Sequence, residues 1–477
     1  MRKRFEQQYT IGLKRIEDTE INLKSRDALP KLILALKKLY TNKKYNEQLF
    51  SILEKKIILP KQKTGRKGMN LWQIFVLAQI RMSLNISYDR LHNLADYHGN
   101  IRQILGIETE WGVEKIKLKY QNIVDNVKLL DDNTIRELNG VIVQMGHDIF
   151  KKKEEAELCL KTDSFVVESN VHFPTDYNLL WDSARKSVST IEKITKKYNV
   201  DGWRKSRNWR KELKKLSRNV GQASRKSQEN KERVVTEYLQ KAKLLSKKIH
   251  KSLPDFPLND LKDYINHSSL EYYLEMLDKH IDLLERRVIK GEKIPHSEKV
   301  FSIFEPYTEW KTKGKRNPAV ELGKNLQVTT DQFHLIIDFE IMENTADNNA
   351  VIPLADRVLN QYLVSSWSFD KGYFSKENKE LLNLFIDNLV MPKKGKLNKK
   401  EHEEEHKKEF KITRNKHSAI ESNINELEHR GLDKCPDRGY QHYKNYITLG
   451  VCAYNLHRIG AKLMRQAKAK QKLQKVA

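Results

Sequence analysis

The sequence predicts an α/β protein, and three observations support that class. Residues 30 to 150 repeat apolar side chains at three- and four-residue spacing, which is typical of helices. Residues 157 to 168 are short, β-rich and bounded by polar residues, which is typical of a buried strand. After residue 326, strand signals alternate with helical patterns. A mixed sheet packed against helices combines these features.

The charge balance indicates a polyanionic partner. The chain has 477 residues, with 89 Lys and Arg against 63 Asp and Glu, for a formal charge of +26. Nucleic acid is the first partner to consider, and an anionic membrane surface is the second. No stretch approaches the ~18 to 20 apolar residues of a membrane span, and the residues from Met1 lack the apolar run of a secretory signal. We therefore expect a cytoplasmic, nucleoid-associated protein without a membrane partner.

The cysteines and histidines do not indicate a zinc site. Cys159, Cys435 and Cys452 are the three cysteines, and no two form a Cys-x-x-Cys pair. His402 and His406 flank three glutamates, and a charged connector explains them better than a metal site.

Residues 1–150 are interpreted as a helical N-terminal region for DNA binding or dimerisation. A first apolar helix from Leu71 runs through Met82 and breaks at Asn85, and Ser87 can cap a second helix. Two helices of this size suit a helix-turn-helix, but they equally suit a packed pair in a small bundle. Both interpretations stay open at this point. Residues 151–180 are assigned to the first part of the sheet core.

Residues 181–300 are interpreted as a basic helical insertion. Residues 185–251 contain 22 Lys or Arg against six acids. The cations assigned to DNA binding are Arg204, Lys205, Arg207, Arg210 and Lys211. Trp203 and Trp209 lie among them, and either they stack on or wedge into DNA or they anchor the insertion by packing.

Residues 301–435 are assigned to the rest of the sheet core, and 436–477 to a C-terminal helical tail. In order, we predict a hairpin of 326–330 and 333–342 that turns at Asp331-Gln332, a helix at 348–363, a strand at 367–370, a helix at 375–388 and a strand at 389–391. Residues 393–408 are predicted to form a charged loop that is solvated or faces DNA. A helix containing Glu421 follows, and another at 446–468.

Three acids are candidate catalytic and metal-binding residues. Asp163 lies within an apolar strand, Asp370 ends a strand before a Lys-Gly turn, and Glu421 lies on the polar side of its helix. A carboxylate in a buried strand is costly unless it is paired or binds a metal. Two divalent ions held by carboxylates suit phosphodiester cleavage. Spacing alone is weak support, because a chain with 63 acids offers many such triplets.

Other acids near the motifs are better explained as structural. Glu168, Asp176 and Asp182 crowd the first motif as alternative ligands, but acids at such positions more often cap turns and helices. Glu426 lies five positions after Glu421, roughly 500° around a helix, and so points elsewhere.

Three longer blocks carry a family resemblance. Lys161 to Asp182, Phe369 to Tyr373 and His417 to Leu432 resemble the acidic motif blocks of bacterial insertion-sequence DDE transposases, with the ISNCY-type group the best match. Similarity in 68–98 and in the run after Cys435 extends the resemblance to about residues 65–465.

This resemblance implies a ribonuclease H-like mixed sheet with a helical N-terminal domain. Asp163 would lie on the first strand, Asp370 at the end of the fourth and Glu421 on the helix after the fifth, with the basic insertion between the first and second strands. The three acids would bind two Mg²⁺ ions, for which Mn²⁺ substitutes. The protein would act as a homo-oligomer, a dimer on double-stranded DNA. It would bind the terminal inverted repeats of its element, free 3′-hydroxyl ends and join them to target DNA.

One departure concerns the third motif. Relatives that cut through hairpins carry Tyr and Arg before the third acid and Lys seven residues after it, whereas this chain has His417 and Glu428 at the corresponding positions. Arg414 lies seven residues before Glu421, on the same helical face, and is expected to hold a phosphate. Lys371, Arg414 and His417 are assigned to DNA binding, and the route of second-strand cleavage stays open. The alternative functions are a relative that only cleaves and a non-catalytic or domesticated sequence-specific DNA-binding protein.

Overall fold

The computed structural model describes residues 2–6, 12–58, 68–110, 113–153, 156–198, 200–223, 227–312 and 319–476. The chain divides into two compact units. We call Met1–Asn170 with Lys311–Ala477 the sheet unit, and Val171–Trp310 the helical unit. The predicted α/β class is confirmed, because helices combine with a mixed six-stranded sheet in the described residues. None of the helices in this part of the chain has the length and apolar character that a bilayer crossing requires.

The N-terminal part of the sheet unit is helical, as the apolar spacing predicted. Its helices are α1 (Ala28–Thr41), α2 (Lys43–Leu53), α3 (Leu71–Ser83), α4 (Tyr88–Tyr97), α5 (Gly99–Ile104), α6 (Tyr120–Val127) and α7 (Asp132–Phe150). The Ser87 side chain accepts a hydrogen bond from the backbone N–H of Arg90 and caps α4, as predicted. Asn85, with a φ of 47°, lies in the turn between α3 and α4.

Helix α3 is a core helix. Every residue from Leu71 to Ser83 is buried. This burial favours the interpretation of α3 and α4 as packed helices of a bundle. Asp89, Arg90 and Asn93 on α4 are exposed, so DNA contact through α4 stays a prediction.

The helical unit consists of long helices around one apolar core. They are α8 (Asp176–Tyr198), α9 (Ser206–Ala223), α10 (Gln228–Ser252) and α11 (Leu261–Val288). Trp203 is only 1% exposed in this core, and its indole Nε1–H donates a 3.1 Å hydrogen bond to Ser252 Oγ. Trp209 is partly buried against the same core, beneath the Lys241 ammonium. Both tryptophans therefore pack within the helical unit, which favours the anchoring interpretation over base stacking.

The sheet contains strands at the positions that the sequence indicated, together with one strand, at residues 309–312, that it did not indicate. They are β1 (Leu158–Glu168), β2 (Glu309–Thr312), β3 (Val320–Thr330), β4 (Ile336–Ile341), β5 (Val364–Phe369) and β6 (Asn388–Val390). The order is β2-β3-β1-β5-β6, and β4 also pairs with β3. Strand β3 runs antiparallel to β1 and β4, whereas β5 runs parallel to β1 and β6. The basic stretch is therefore inserted in the chain after β1 and before the next strand.

The remaining helices belong to the sheet unit. They are α12 (Val351–Leu359), α13 (Lys376–Leu382), α14 (Lys399–His406), α15 (Lys408–His417), α16 (Ala419–Leu427) and α17 (Tyr440–Val476). Helix α12 follows a 3-10 turn at Asp347–Ala350 and ends before the predicted residue 363. Helix α13 also ends well before residue 388, which instead begins β6.

The predicted two-residue hairpin turn is wrong. The connection between β3 and β4 runs from Asp331 to Leu335. Asp331 Oδ1 accepts hydrogen bonds from the N–H groups of Phe333 and Leu335, both at 2.9 Å, and His334 has a φ of 64°. The aspartate organises a longer loop because its side chain replaces a backbone acceptor.

The prediction of a charged loop at residues 393–408 is also wrong, because α14 lies within it. Asn398 caps α14, and Glu401 completes a reciprocal capping box with Asn398. Lys393 Nζ lies 2.8 Å from Glu401 Oε1, and Lys379 Nζ lies 2.8 Å from Glu404 Oε2. The charged composition of residues 393–408 indicated a solvated loop. The capping box and the two ion pairs instead stabilise α14 as a helix.

The C-terminal segment is a central element of the sheet unit. Helix α17 packs against α1, α3 and α7. Tyr443, Ile447, Cys452 and Leu456 are buried along it. A helix at 446–468 is confirmed, but the predicted amphipathic pattern is wrong, because residues 445–457 are all buried and the helix packs into the interior on several faces.

Candidate active site

The register of β1 and β5 brings two of the predicted acids together. These strands are parallel, and Thr162 pairs with Phe369. The next residues are Asp163 on β1 and Asp370 directly after β5. Neighbouring strands lie ~4.8 Å apart, so the two aspartates start from adjacent backbone positions although 207 positions separate them in sequence.

Glu421 reaches the same region from a helix. It lies in the first turn of α16, directly after α15. The end of α15 is held on β5 by a hydrogen bond of 2.9 Å between His417 Nδ1 and Ser368 Oγ. Burial lowers the pKa of His417, while the charges of Asp370 and Glu421 oppose that effect. Both acids therefore interact electrostatically with one imidazole.

The neighbouring acidic side chains change the pKa of Asp163. Burial, together with the charges of Asp370, Asp347 and Glu421, raises the pKa of Asp163 to about 7. A hydrogen bond of 2.7 Å from the Ser164 N–H to Asp163 Oδ1 works in the opposite direction. The ionised form of Asp163 is therefore destabilised by burial and by like charge, and a proton or a cation relieves both effects.

Asp347 is a fourth carboxylate that sequence analysis missed. It begins the 3-10 turn before α12, and Ser164 Oγ donates a 3.0 Å hydrogen bond to its Oδ1. A Cβ built on Gly372 would lie 2.8 Å from Asp347 Oδ2, so the turn after Asp370 approaches this carboxylate closely. Burial raises the pKa of Asp347, and the charge of Asp370 raises it further. Its sequence signal was that of an ordinary acid before a helix.

The donor set of this carboxylate cluster, Asp163, Asp347, Asp370 and Glu421, consists of oxygen atoms. Oxygen is the ligand type that Mg²⁺ and Mn²⁺ prefer, so the chemistry of the residues fits these ions. Within the described residues, no three His, Cys, Asp or Glu side chains form a group that would hold a metal ion as they stand.

Three predicted DNA contacts lie near the cluster. Lys371 is exposed directly after Asp370. Arg414 is exposed on α15, and its Nη1 lies 4.0 Å from Glu405 Oε2. His417 is half-buried and bonded to Ser368. The expectation of one helix carrying both Arg414 and Glu421 is wrong, because α15 ends at His417 and α16 begins at Ala419.

Glu426 is part of a structural ion-pair network. Its Oε1 lies 3.0 Å from both Arg430 Nη2 and His457 Nδ1. Burial would raise its pKa, but the close contact with His457 and the interactions with Arg430 outweigh burial and lower the pKa to about 2. This arrangement agrees with the prediction that Glu426 points away from the position of Glu421.

The other acids of the first motif have partners outside the cluster. In the helical unit, Asp176 Oδ2 lies 2.7 Å from Arg287 Nη1, and Asp182 Oδ1 lies 2.7 Å from Arg185 Nε. At the end of β1, the Glu168 carbonyl accepts a 2.8 Å hydrogen bond from the Cys435 N–H. Ion pairing accounts for Asp176 and Asp182, whereas the contact at the end of β1 involves the backbone of Glu168 and not its carboxylate.

The predicted DNA-binding cations of the helical unit differ in exposure. Arg204, Lys205, Arg207 and Lys211 are exposed on or just before α9. Arg210 is half-buried, with its Nη2 3.0 Å from Glu192 Oε2. The four exposed side chains are therefore the better candidates for phosphate contact, because Arg210 already neutralises a carboxylate.

No family model, no curated protein and no solved structure matches this chain.

Proposed function

We propose that this protein is a metal-dependent DNA transposase of the DDE class, with Asp163, Asp370 and Glu421 as its metal-binding carboxylates. One observation carries the proposal. Asp370 after β5, Asp347 before α12 and Glu421 on α16 act together on Asp163 of β1, and burial with their charges raises the pKa of Asp163 to about 7. A strongly perturbed acid surrounded by like charges is typical of a functional site.

The sheet topology supports a ribonuclease H-like core as part of the proposal. If β1, β3, β4, β5 and β6 are the five core strands, Asp163 lies on the first and Asp370 follows the fourth. Glu421 lies on α16, in the helical segment after the fifth strand. These are the places that the resemblance to DDE transposases implies. On this numbering β2 is an additional strand, and the helical unit precedes the second core strand.

The residues of the cluster have separate tasks in the proposed reaction. The Ser164 N–H fixes one oxygen of Asp163, and Asp370 and Glu421 present exposed carboxylates from the next strand and from α16. Two divalent ions bound to these oxygens would activate the attacking hydroxyl and neutralise the leaving 3′-oxygen. Asp163 must lose its proton to act as a ligand, so the metal affinity of the site rises with pH.

The charge of the chain supports DNA as the substrate. The formal charge is +26, and Arg204, Lys205, Arg207 and Lys211 are exposed. Such cations bind phosphates and release counterions, which gives affinity without sequence information. A non-catalytic DNA-binding protein would share these cations but would have no use for a perturbed carboxylate cluster.

The test is a cleavage and strand-transfer assay. Purified protein, Mg²⁺ or Mn²⁺ and duplexes carrying the inverted repeats that flank the coding region should give nicked ends and joined products. Asp163→Asn, Asp370→Asn and Glu421→Gln should each lower the rate by roughly 100-fold or more. Matched controls are Asp387→Asn and Glu409→Gln, exposed acids of the same unit outside the cluster, which should keep the wild-type rate.

Two results would overturn the proposal. If the cluster variants cleave DNA at the wild-type rate, Asp163, Asp370 and Glu421 are not the catalytic carboxylates. Tight, salt-sensitive DNA binding by the wild type without any metal-dependent cleavage would instead identify a non-catalytic DNA-binding protein.

A further inference from the structure

A cavity of about 420 Å³ lies within the helical unit, away from the predicted cations of α9. The start of α8, the first turns of α10, the end of α11 and the segment from His296 to Trp310 surround it. This volume falls in the range of about 300 to 1,000 Å³ that ligand pockets occupy. Nothing in the proposed carboxylate chemistry uses this cavity.

Aromatic rings line one side of the cavity. Phe173 and Trp310 meet at a centroid distance of 5.5 Å and an angle of 62°, and Phe301 lies 5.6 Å from Trp310. Phe173 is 58% exposed, which is unusual for a phenylalanine that has apolar neighbours to pack against. The rings therefore offer an accessible π-surface to a planar ligand.

Cations also line the cavity. Lys231, Arg287 and Lys299 border the cavity together with one acid, Asp176. Arg287 Nη1 pairs with Asp176 Oδ2 at 2.7 Å. Among the described residues, neither Lys231 nor Lys299 has a carboxylate within ion-pair distance. The lining therefore carries an excess of positive charge that can receive an anion.

We propose that this cavity binds an unpaired nucleotide of a DNA strand, with the base against Phe173, Phe301 and Trp310 and a phosphate near Lys231 and Lys299. A planar aromatic group joined to a phosphate can contact both the rings and the cations, whereas inorganic phosphate leaves the rings unused and an apolar ligand leaves the cations unused. The choice of a DNA strand over a free nucleotide rests on the proposed function. Base stacking on aromatic side chains tolerates any sequence.

The test measures single-strand binding by the full-length protein without divalent metal. The probes are fluorescein-labelled (dT)₁₂, its duplex with (dA)₁₂, and dTMP as a competitor. Stacking contributes about 1 to 3 kcal/mol per base, so Phe173→Ala should weaken (dT)₁₂ binding by roughly 5- to 150-fold. Phe173→Trp should restore most of the affinity, and Lys299→Ala should weaken binding and reduce its salt dependence. Duplex affinity should change much less.

The matched control is Tyr264→Ala. Tyr264 is an aromatic residue of the same unit, 57% exposed on α11 and outside the cavity lining. Thermal unfolding of each variant checks folding, and the exposure of Phe173 predicts an unchanged midpoint. Equal (dT)₁₂ affinity in Phe173→Ala, or an equal loss in Tyr264→Ala, would overturn the inference. Competition by dTMP as effective as (dT)₁₂ would assign the cavity to a free nucleotide and overturn the strand assignment.

The outcomes separate this inference from the proposed transposase activity. If Phe173→Ala loses single-strand binding and the wild type does not cleave DNA, the proposed transposase activity is wrong. The assignment of the cavity to a nucleotide is then kept. If the wild type cleaves DNA with metal and Phe173→Ala binds single strands as the wild type does, only the cavity assignment is wrong.

Discussion

Ser164 Oγ donates a 3.0 Å hydrogen bond to Asp347 Oδ1, which joins the strand of Asp163 to the fourth carboxylate of the cluster. Asp347 comes from the turn before α12 and has no counterpart among the three predicted acids. Its position beside Gly372 sets the distance between that turn and the residue Asp370. The hydrogen bond joins two chain segments, and the closeness of Gly372 to Asp347 adds a third at the candidate site.

Ser164→Ala should impair metal use while leaving DNA binding intact. Loss of a hydrogen bond that orients a carboxylate near a metal site typically lowers metal affinity or activity about 10- to 100-fold. A Mg²⁺ titration of the cleavage rate measures the effect. Ser366→Ala, another half-buried serine of the sheet, is the control and should behave as wild type. Identical Mg²⁺ curves for both variants would show that the hydrogen bond has no role in the site.

Asp163→Asn should stabilise the protein at pH 8 and have no such effect near pH 4. The pKa of Asp163 is raised to about 7 in the folded protein, so the native state holds this proton after the unfolded chain has lost it. The contribution of this proton to the free energy of unfolding is therefore fully present below the unfolded pKa of about 4, and it is lost as pH rises toward 7. The side-chain amide of the Asp163→Asn variant does not ionise, so the variant does not lose this stability as pH rises.

Thermal unfolding at several pH values measures this difference. We expect the variant's midpoint to exceed that of the wild type by roughly 2 °C or more at pH 8. Asp370→Asn should have a smaller effect of the same sign, because the charge of Asp370 raises the pKa of Asp163. A lower midpoint for Asp163→Asn at pH 8 would mean that the carboxylate is stabilised when ionised.

Lys205→Ala and Lys211→Ala should each weaken DNA binding in a salt-dependent way. Both side chains are exposed. Loss of one phosphate contact reduces the slope of log K against log salt by roughly 0.9. Binding titrations between low and moderate salt provide the slope, and Lys290→Ala, an exposed lysine of the same unit, is the control. A slope equal to that of the wild type for both variants would exclude α9 and its preceding turn from the interface.

Trp203→Ala should destabilise the helical unit by about 3 to 5 kcal/mol, as expected when a large buried aromatic is truncated. The side chain is 1% exposed and donates its indole N–H to Ser252. Trp203→Phe keeps most of the volume and should cost much less. Chemical denaturation measures both changes. A Trp203→Ala protein of wild-type stability that binds DNA weakly would favour base stacking over packing.

Local patterns determined much of this fold. The caps, the apolar spacing and the β-rich run were sufficient to predict α3, α4, β1 and the strands from β3 onward, but not β2, because these signals act over a few residues. They did not predict α14, since its composition is that of a solvated loop. Its stability comes from the Asn398 capping box and from ion pairs with Lys393 and Lys379, and only the Asn398 spacing was visible in the sequence.

The sequence by itself determined which residue types were available at the candidate site: Asp163 in a strand, Asp370 at a strand end and Glu421 on a helix. The tertiary structure decided which of them are neighbours. Parallel pairing of β1 with β5 places Asp163 beside Asp370, and the contact of His417 with Ser368 positions the start of α16. It also added Asp347, because electrostatic coupling depends on distance in space, which the spacing along the chain does not contain.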